Sequence, residues 1–222
     1  MSVSLLLLTD GRFPAGGYAH SGGLEAAVEA GLGLEGVPLF LAGRLQGVAA
    51  SEARLAVAAA RAARREDLDA LLLLDREAEA RCPSPPLRAA ARRLGAQLLR
   101  SAVTVWPDAE LLERYREASA GTPRPIAFGA VAASAGLDDE ELARALLYED
   151  AATVTGAAVR LLPVDSAATA RWLVEATPRI ERLAREAAAQ MLAPEQLPAG
   201  FAPMLELRSL AHAAREGKLF AS

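Results

Sequence analysis

The sequence holds very few of the side chains that most metal and catalytic sites use. It has one cysteine, Cys82, and two histidines among 222 residues. One cysteine excludes an internal disulfide and a zinc site built from several cysteines, and it is typical of a reducing compartment. The two histidines are too far apart in sequence to be a ligand pair on one helix. We therefore expect no tightly bound metal or cofactor.

Long apolar runs are also missing. Runs such as residues 5–8 and 71–74 are far shorter than the roughly 20 residues that a membrane-spanning helix needs. No cluster of basic residues precedes Leu5, as a signal peptide would require. We therefore predict a cytoplasmic protein with no membrane contact.

Motifs and charges for nucleotide binding are absent. The net charge is −4 and Lys218 is the only lysine, a balance that disfavours nucleic acid as a partner. No glycine-rich loop leads into Lys-Ser or Lys-Thr, which excludes a P-loop. The glycines near residue 16 lack the preceding strand and spacing of a dinucleotide-binding fingerprint. We therefore expect that this chain is not an enzyme.

The residues that are present favour helices. Apolar residues make up 52% of the chain but aromatic residues only 5%, and Ala, Leu, Glu and Arg, all strong helix formers, fill most segments. The composition predicts an all-α protein: one compact helical domain of about eight to ten helices over residues 1–222, with a flexible C-terminal tail at residues 216–222. Helix starts are predicted after capping residues, and Pro178 is predicted to open a separate helix after a short one. The capping residues are Asp67, Ser84, Asp138, and either Asp165 or Ser166.

Two segments stand out from this helical background. Residues 13–25 are rich in glycine, and they form either a structural turn with Ser21 as a cap or a contact surface that uses Tyr18, His20 and Glu25. At the other end, Leu219 and Phe220 are unusually apolar for a chain terminus. The tail either becomes ordered on binding a partner or folds back onto its own domain.

Three blocks of sequence, in order, resemble the urease accessory protein UreF family. Residues 13–25, FPAGGYAHSGGLE, are similar to the family's N-terminal signature, and residues 125–129 and 158–163 are similar to its middle blocks. Residues 212–222 resemble its ending, with Ala213 in place of the family's Glu and Lys218 in place of its Arg. Each block alone is weak, but the order and spacing fit over nearly the whole chain.

The resemblance implies an all-α homodimer that helps urease to mature. The family binds the accessory protein called UreD or UreH, recruits the GTPase UreG, and assists delivery of nickel to the urease apoprotein. Nickel would then be handled transiently by the complex. The residues expected to contact partners are Tyr18, His20, Ser21, Glu25, His212, Arg215, Lys218, Leu219, Phe220 and Ser222. Those expected to shape the backbone are Pro14, Gly16, Gly17 and Gly23.

Two other functions stay open from the residues alone. One is a metal-binding enzyme that uses His20 and His212, with Glu25 as a further ligand. The other is a general helical scaffold unrelated to urease.

Overall fold

The computed structural model describes residues 3–10, 13, 20–200, 202–215 and 219–220. These residues form α-helices, two 3-10 turns at Leu34–Gly36 and Pro194–Gln196, and no β-strand, which confirms the all-α class. A π turn at Leu45–Ala49 joins the helix Val37–Arg44 to the helix Ala50–Arg64, so the described residues contain ten helices when these two are counted as one. The helices are α1 (Val3–Thr9), α2 (Leu24–Glu29), α3 (Val37–Arg44), α4 (Ala50–Arg64), α5 (Leu68–Ala80), α6 (Pro85–Val105), α7 (Glu110–Ala118), α8 (Arg124–Ser134), α9 (Asp139–Leu161), α10 (Ser166–Ala189) and α11 (Pro203–Ala213).

Four helices begin as their capping residues predict. In each, a side-chain oxygen accepts the backbone N–H three residues later, at 2.7–3.5 Å. Each such bond satisfies one of the N–H groups that a helix start leaves without a partner, and it contributes about 1 kcal/mol. The caps are Asp67, Ser84, Asp138 and Asp165.

Helix α8 lies at the centre of the fold. Its residues from Arg124 to Ala132 are all buried, and it packs across α4 and α6. At Gly129 the backbones of α8 and α4 nearly touch, because a Cβ there would lie 2.1 Å from the carbonyl oxygen of Ala56. In the part of the chain described, no helix combines the length and apolar character that crossing a membrane requires.

The predicted break at Pro178 is wrong. Helix α10 runs from Ser166 to Ala189 with Pro178 inside it. Proline in a helix interior loses one hydrogen bond and costs about 3 kcal/mol. Helix α10 tolerates this because it packs along α9, where Arg144 pairs with Glu181 at 2.9 Å. Its residues after Pro178 include buried members of the core, and partly buried residues before Pro178 pack against the same core.

Residues 190–200, which we call the strap, lead from α10 towards α11. Side chains of the bundle hold them in place. Arg61 donates to the carbonyl oxygens of Ala188 and Gln190 at 2.6 and 2.5 Å. Arg81 donates to the carbonyl oxygens of Pro194 and Leu197 at 3.0 and 2.9 Å. These bonds fix the position from which α11 crosses the bundle.

Candidate functional site

A carboxylate near the N-terminus holds the C-terminal tail. Glu25, in the first turn of α2, is buried, and its Oε1 accepts the N–H of Leu219 at 2.8 Å. Its Oε2 accepts the N–H of Phe220 at 3.1 Å. Hydrogen bonds to a charged acceptor are stronger than neutral ones, so Glu25 is an effective anchor for these two residues.

The two apolar tail residues have opposite environments. Phe220 is 4% exposed, and the guanidinium of Arg160 lies 4.4 Å from the centre of its ring. Leu219 is 61% exposed. Of the tail residues that the structure describes, Phe220 therefore packs onto its own domain while Leu219 faces solvent. Whether residues 216–222 are flexible stays a prediction.

His212 lies between the two acidic residues of α2. Its Nδ1 is 3.5 Å from Glu29 Oε2 and its Nε2 is 3.4 Å from Glu25 Oε2. The second separation is within ion-pair range but does not meet hydrogen-bond geometry, which leaves Nε2 buried without a hydrogen bond. Arg215 adds an ion pair to Glu29 at 2.8 Å. His212 and Arg215 thus tie the end of α11 to α2.

The N-terminal signature is only partly described. Ser21 is fully buried, and its Oγ accepts the N–H of Glu25 at 3.2 Å, in agreement with a capping role. Gly23 has φ of 85°, in the left-handed region, and a Cβ there would lie 2.6 Å from Leu205 of α11. The other predicted residues, Pro14, Gly16, Gly17, Tyr18, Lys218 and Ser222, lie outside the described residues.

Helix α11 places two polar residues on its inner side, beside Leu205, and exposes three large apolar residues on its outer side. On the inner side, the Ser209 Oγ lies 2.6 Å from the Ser84 Oγ, and His212 is buried. The outer side exposes Met204, Leu207 and Leu210. A helix at the surface of a soluble domain normally has the opposite arrangement. The outer face of α11 is therefore an apolar surface that none of the described residues covers.

A cavity of about 160 Å³ lies beneath α11, and charged residues from distant parts of the sequence meet there. Arg44 forms a two-pronged contact with Asp150, at 2.9 Å for Nε to Oδ2 and 2.6 Å for Nη2 to Oδ1. Its Nη1 also donates to the carbonyl oxygen of Gly22 at 2.9 Å. Arg124 pairs with Glu149 at 2.7 Å, although that contact does not meet hydrogen-bond geometry. These pairs anchor α3, α8 and α9 to one another.

Burial shifts the pKa values of the ionisable groups in this cluster. It lowers the pKa of His20 from 6.5 to about 4, and Arg124 and Arg44 lower it further, so the imidazole is neutral at pH 7. Burial also raises the pKa of Glu52, and Asp150 adds to that rise. For Arg44, burial acts to lower the pKa, but Asp150 outweighs it and the pKa is raised.

Sequence reasoning identified His20 but missed its charged neighbours. Arg44 and Asp150 are 106 residues apart, so no local pattern links them. The only available signal was the adjacent pair Glu149 and Asp150 within the small-residue centre of α9. His20 and His212 both line the cavity, yet among the described residues no three of His, Cys, Asp and Glu are placed to hold a metal ion.

Taken together, these features define an all-α protein whose C-terminal segment is anchored to α2 above a charged cavity. Residues 34–177 match the family model described as UreF. The chain is 36% identical to the urease accessory protein UreF of Mycobacterium marinum, over 98% of this chain and 97% of the relative. It is 35% identical to that of Mycobacterium sp. strain JLS, over 99% and 98%. It is 37% identical to that of Mycobacterium tuberculosis strain H37Ra, over 83% and 84%. The chain belongs to the UreF family of urease accessory proteins.

Proposed function

We propose that this protein is a non-catalytic adaptor in urease maturation. It binds a UreD/UreH-type accessory protein, and that complex recruits the UreG GTPase and delivers nickel to the urease apoprotein. Membership of the UreF family supports this proposal, as do relatives that are named urease accessory proteins over nearly their whole length. We also propose that the protein works in the cytoplasm and that the complex handles nickel only transiently.

The outer face of α11 is the observation that carries the docking proposal. Leu207 is 61% exposed and lies between Met204 and Leu210 on the same exposed side. Contiguous apolar surface of this kind marks interaction sites on soluble proteins. Leu219 is exposed beside the anchored Phe220, so the tail adds apolar area next to the end of α11. We assign the UreD/UreH-type partner to this surface.

A single charge on this face tests the proposal. Leu207→Asp places a carboxylate where the interface would exclude water, and we expect at least about a tenfold loss of affinity for the UreD/UreH-type partner, or about 1.4 kcal/mol. The measurement is the amount of this chain that co-purifies with the tagged partner, together with urease activity in cells that express the full maturation set.

The matched control is Val174→Asp, because Val174 is 71% exposed on α10, away from α11. This variant should bind the partner normally. Deleting residues 217–222 should weaken the same complex. Equal binding by wild type, Leu207→Asp and the deletion at low concentration would reject α11 and the tail as the docking surface.

A further inference from the structure

The exposed apolar face of α11 contains one sulfur atom. Met204 is 56% exposed and lies three residues before Leu207, on the surface that we assign to the UreD/UreH-type partner. A methionine thioether is apolar and polarizable, so it packs well in such an interface. Oxidation converts the same side chain into a methionine sulfoxide, which is polar. The docking surface therefore includes a side chain whose polarity an oxidant can change.

The other sulfur atoms of the chain differ from that of Met204 in position or in reactivity. The sequence has three methionines and one cysteine, and Met1 lies outside the described residues. Met191 is 80% exposed, but it lies on the strap beside a cleft that α4 and α5 also line. Burial raises the pKa of the Cys82 thiol to about 11, so at pH 7 little of the reactive thiolate is present. Among the described residues, Met204 alone places a sulfur on the outer face of α11.

Oxidation of Met204 should change the surface of α11 without changing the fold. The helix is held to the bundle from its inner side, where Leu205, Ser209 and His212 line the cavity. On the exposed side, a sulfoxide oxygen of Met204 would form hydrogen bonds with water in the free chain. An apolar interface would remove that water and offer the oxygen no donor, which disfavours the bound state.

We propose that Met204 is a redox-sensitive modification site, at which oxidation by a hydroperoxide to methionine sulfoxide lowers the affinity of the α11 face for the UreD/UreH-type partner. This inference rests on the docking surface proposed above and adds regulation of that surface by oxidants.

The reaction transfers one oxygen atom. With hydrogen peroxide, a lone pair of the Met204 sulfur attacks one peroxide oxygen, the S–O bond forms and the O–O bond breaks. The proton of the transferred hydroxyl passes to the departing hydroxide, so the products are the sulfoxide and one water molecule. The sulfur is oxidised by two electrons and the peroxide is reduced by two. Methionine sulfoxide reductases reverse the change with electrons from thiols.

Mild oxidation of the isolated chain tests the proposal. The chain is treated with hydrogen peroxide, the oxidant is removed, and peptide mass spectrometry measures the oxygen added at Met204 and at Met191. Titration with the untreated UreD/UreH-type partner then gives the dissociation constant. We expect oxidation at Met204 to raise this constant at least about tenfold. Treatment with both methionine sulfoxide reductases, A and B, and dithiothreitol should restore the original value, since each enzyme reduces one sulfoxide epimer.

Variants connect the loss of affinity to one side chain. Met204→Leu keeps an apolar residue without sulfur, so its affinity should be the same before and after peroxide. Met191→Leu is the matched control, because it removes the exposed sulfur of the strap, and it should lose affinity on oxidation as wild type does. Met204→Gln introduces a neutral polar group, so it should bind the partner weakly even without oxidant.

Two further measurements separate a surface effect from unfolding. Hydrogen exchange in residues 203–213 should be the same for the oxidised and the untreated chain, because the oxidised side chain is exposed. In the complex with the partner, Met204 should be oxidised more slowly than in the free chain, whereas the oxidation rate of Met191 should not change.

Three results would overturn the proposal. The first is unchanged affinity in protein that is fully oxidised at Met204; if Leu207→Asp still weakens the complex, the docking surface stands and only the regulation by oxidants fails. If Leu207→Asp also binds normally, the docking surface fails as well. The second is an equal loss of affinity in peroxide-treated Met204→Leu, which would assign the effect to another residue. The third is the absence of oxidation at Met204 under conditions that oxidise Met191.

Discussion

Single buried ionisable residues in this protein are stabilised in different ways. Arg44 and Asp150 neutralise each other across the bundle. Asp75, on α5, forms no ion pair with any described residue, but it accepts hydrogen bonds from the Tyr115 hydroxyl at 2.5 Å and from the Ser119 hydroxyl at 2.7 Å. Burial raises the pKa of Asp75 from 3.8 to about 6, because these two hydrogen bonds offset only part of the cost of desolvation.

Asp75 should make stability depend on pH in a defined direction. Between pH 4 and 6 the folded state holds more protons at Asp75 than the unfolded state, so this residue lowers the free energy of unfolding as pH rises. His20 acts in the opposite direction, because its folded pKa lies below its unfolded pKa. Asp75→Asn removes the pH-dependent contribution of Asp75 to the free energy of unfolding. Over the whole titration this contribution changes by about 3 kcal/mol, at about 1.4 kcal/mol per pKa unit.

We therefore expect the stability of Asp75→Asn to rise more steeply with pH than that of wild type over this range. Urea denaturation at a series of pH values measures the slope. Asp69→Asn, at an exposed position of the same helix, is the control. Parallel curves for Asp75→Asn and wild type would show that Asp75 does not titrate in this way.

At the scale of elements, the strap and α11 form the least self-sufficient part of the fold. The strap has only one 3-10 turn of its own, Pro194–Gln196, and its carbonyl groups bond to arginines of the bundle. Helix α11 buries only His212 and lies over a cavity. Elements with few buried apolar contacts open at low free-energy cost, so this region is suited to rearrange when a partner binds.

Arg81 should control the opening of this region. Arg81→Met keeps much of the aliphatic stem but removes the guanidinium that bonds the strap, and we expect faster hydrogen exchange in residues 190–215. Global stability should fall by about 1–3 kcal/mol. Hydrogen exchange followed by mass spectrometry measures the exchange of residues 190–215 separately from that of the remaining bundle.

Arg171→Met is the matched control, because Arg171 forms only an exposed pair with Glu175 within α10. Exposed pairs of this kind contribute about 0–1 kcal/mol. Unchanged exchange in the strap of Arg81→Met would show that packing, and not Arg81, holds it in place.

At the scale of the whole molecule, the C-terminal segment returns to α2. Leu219 bonds to Glu25 across 194 residues, and Phe220 is part of the hydrophobic core to which Leu5 and Leu8 of α1 also belong. On the faces of α1 and α11 that point away from the core, Val3, Leu6 and Leu207 are exposed. Because apolar surface persists at both ends of the chain, association is expected at the level of the whole molecule.

We predict a homodimer in solution, as the resemblance to the UreF family implies. Light scattering coupled to size exclusion should give twice the chain mass of 23.2 kDa at micromolar concentration. A single-chain mass across the micromolar range would contradict this prediction.

Much of the fold could be predicted from sequence because its signals are local. A capping oxygen and its N–H partner are three residues apart, as at Asp138 and Glu141, and each helix start depends on that short segment. The local rule that a proline opens a new helix failed at Pro178, because packing against α9 outweighs the local cost of proline. The candidate site was predicted only in part: Glu25, His212 and Phe220 were identified, whereas Arg44, Glu52 and Asp150 were not.

The sequence by itself determined the helical class, most helix starts and the family, since composition, caps and ordered motifs are all written along the chain. The tertiary structure alone decided that Arg44 meets Asp150, that α11 faces its apolar side outward, and that Glu52 faces a cavity. Those features arise from contacts between distant segments, 106 residues apart for Arg44 and Asp150 and 183 residues apart for His212 and Glu29, and such contacts exist only once the helices have packed.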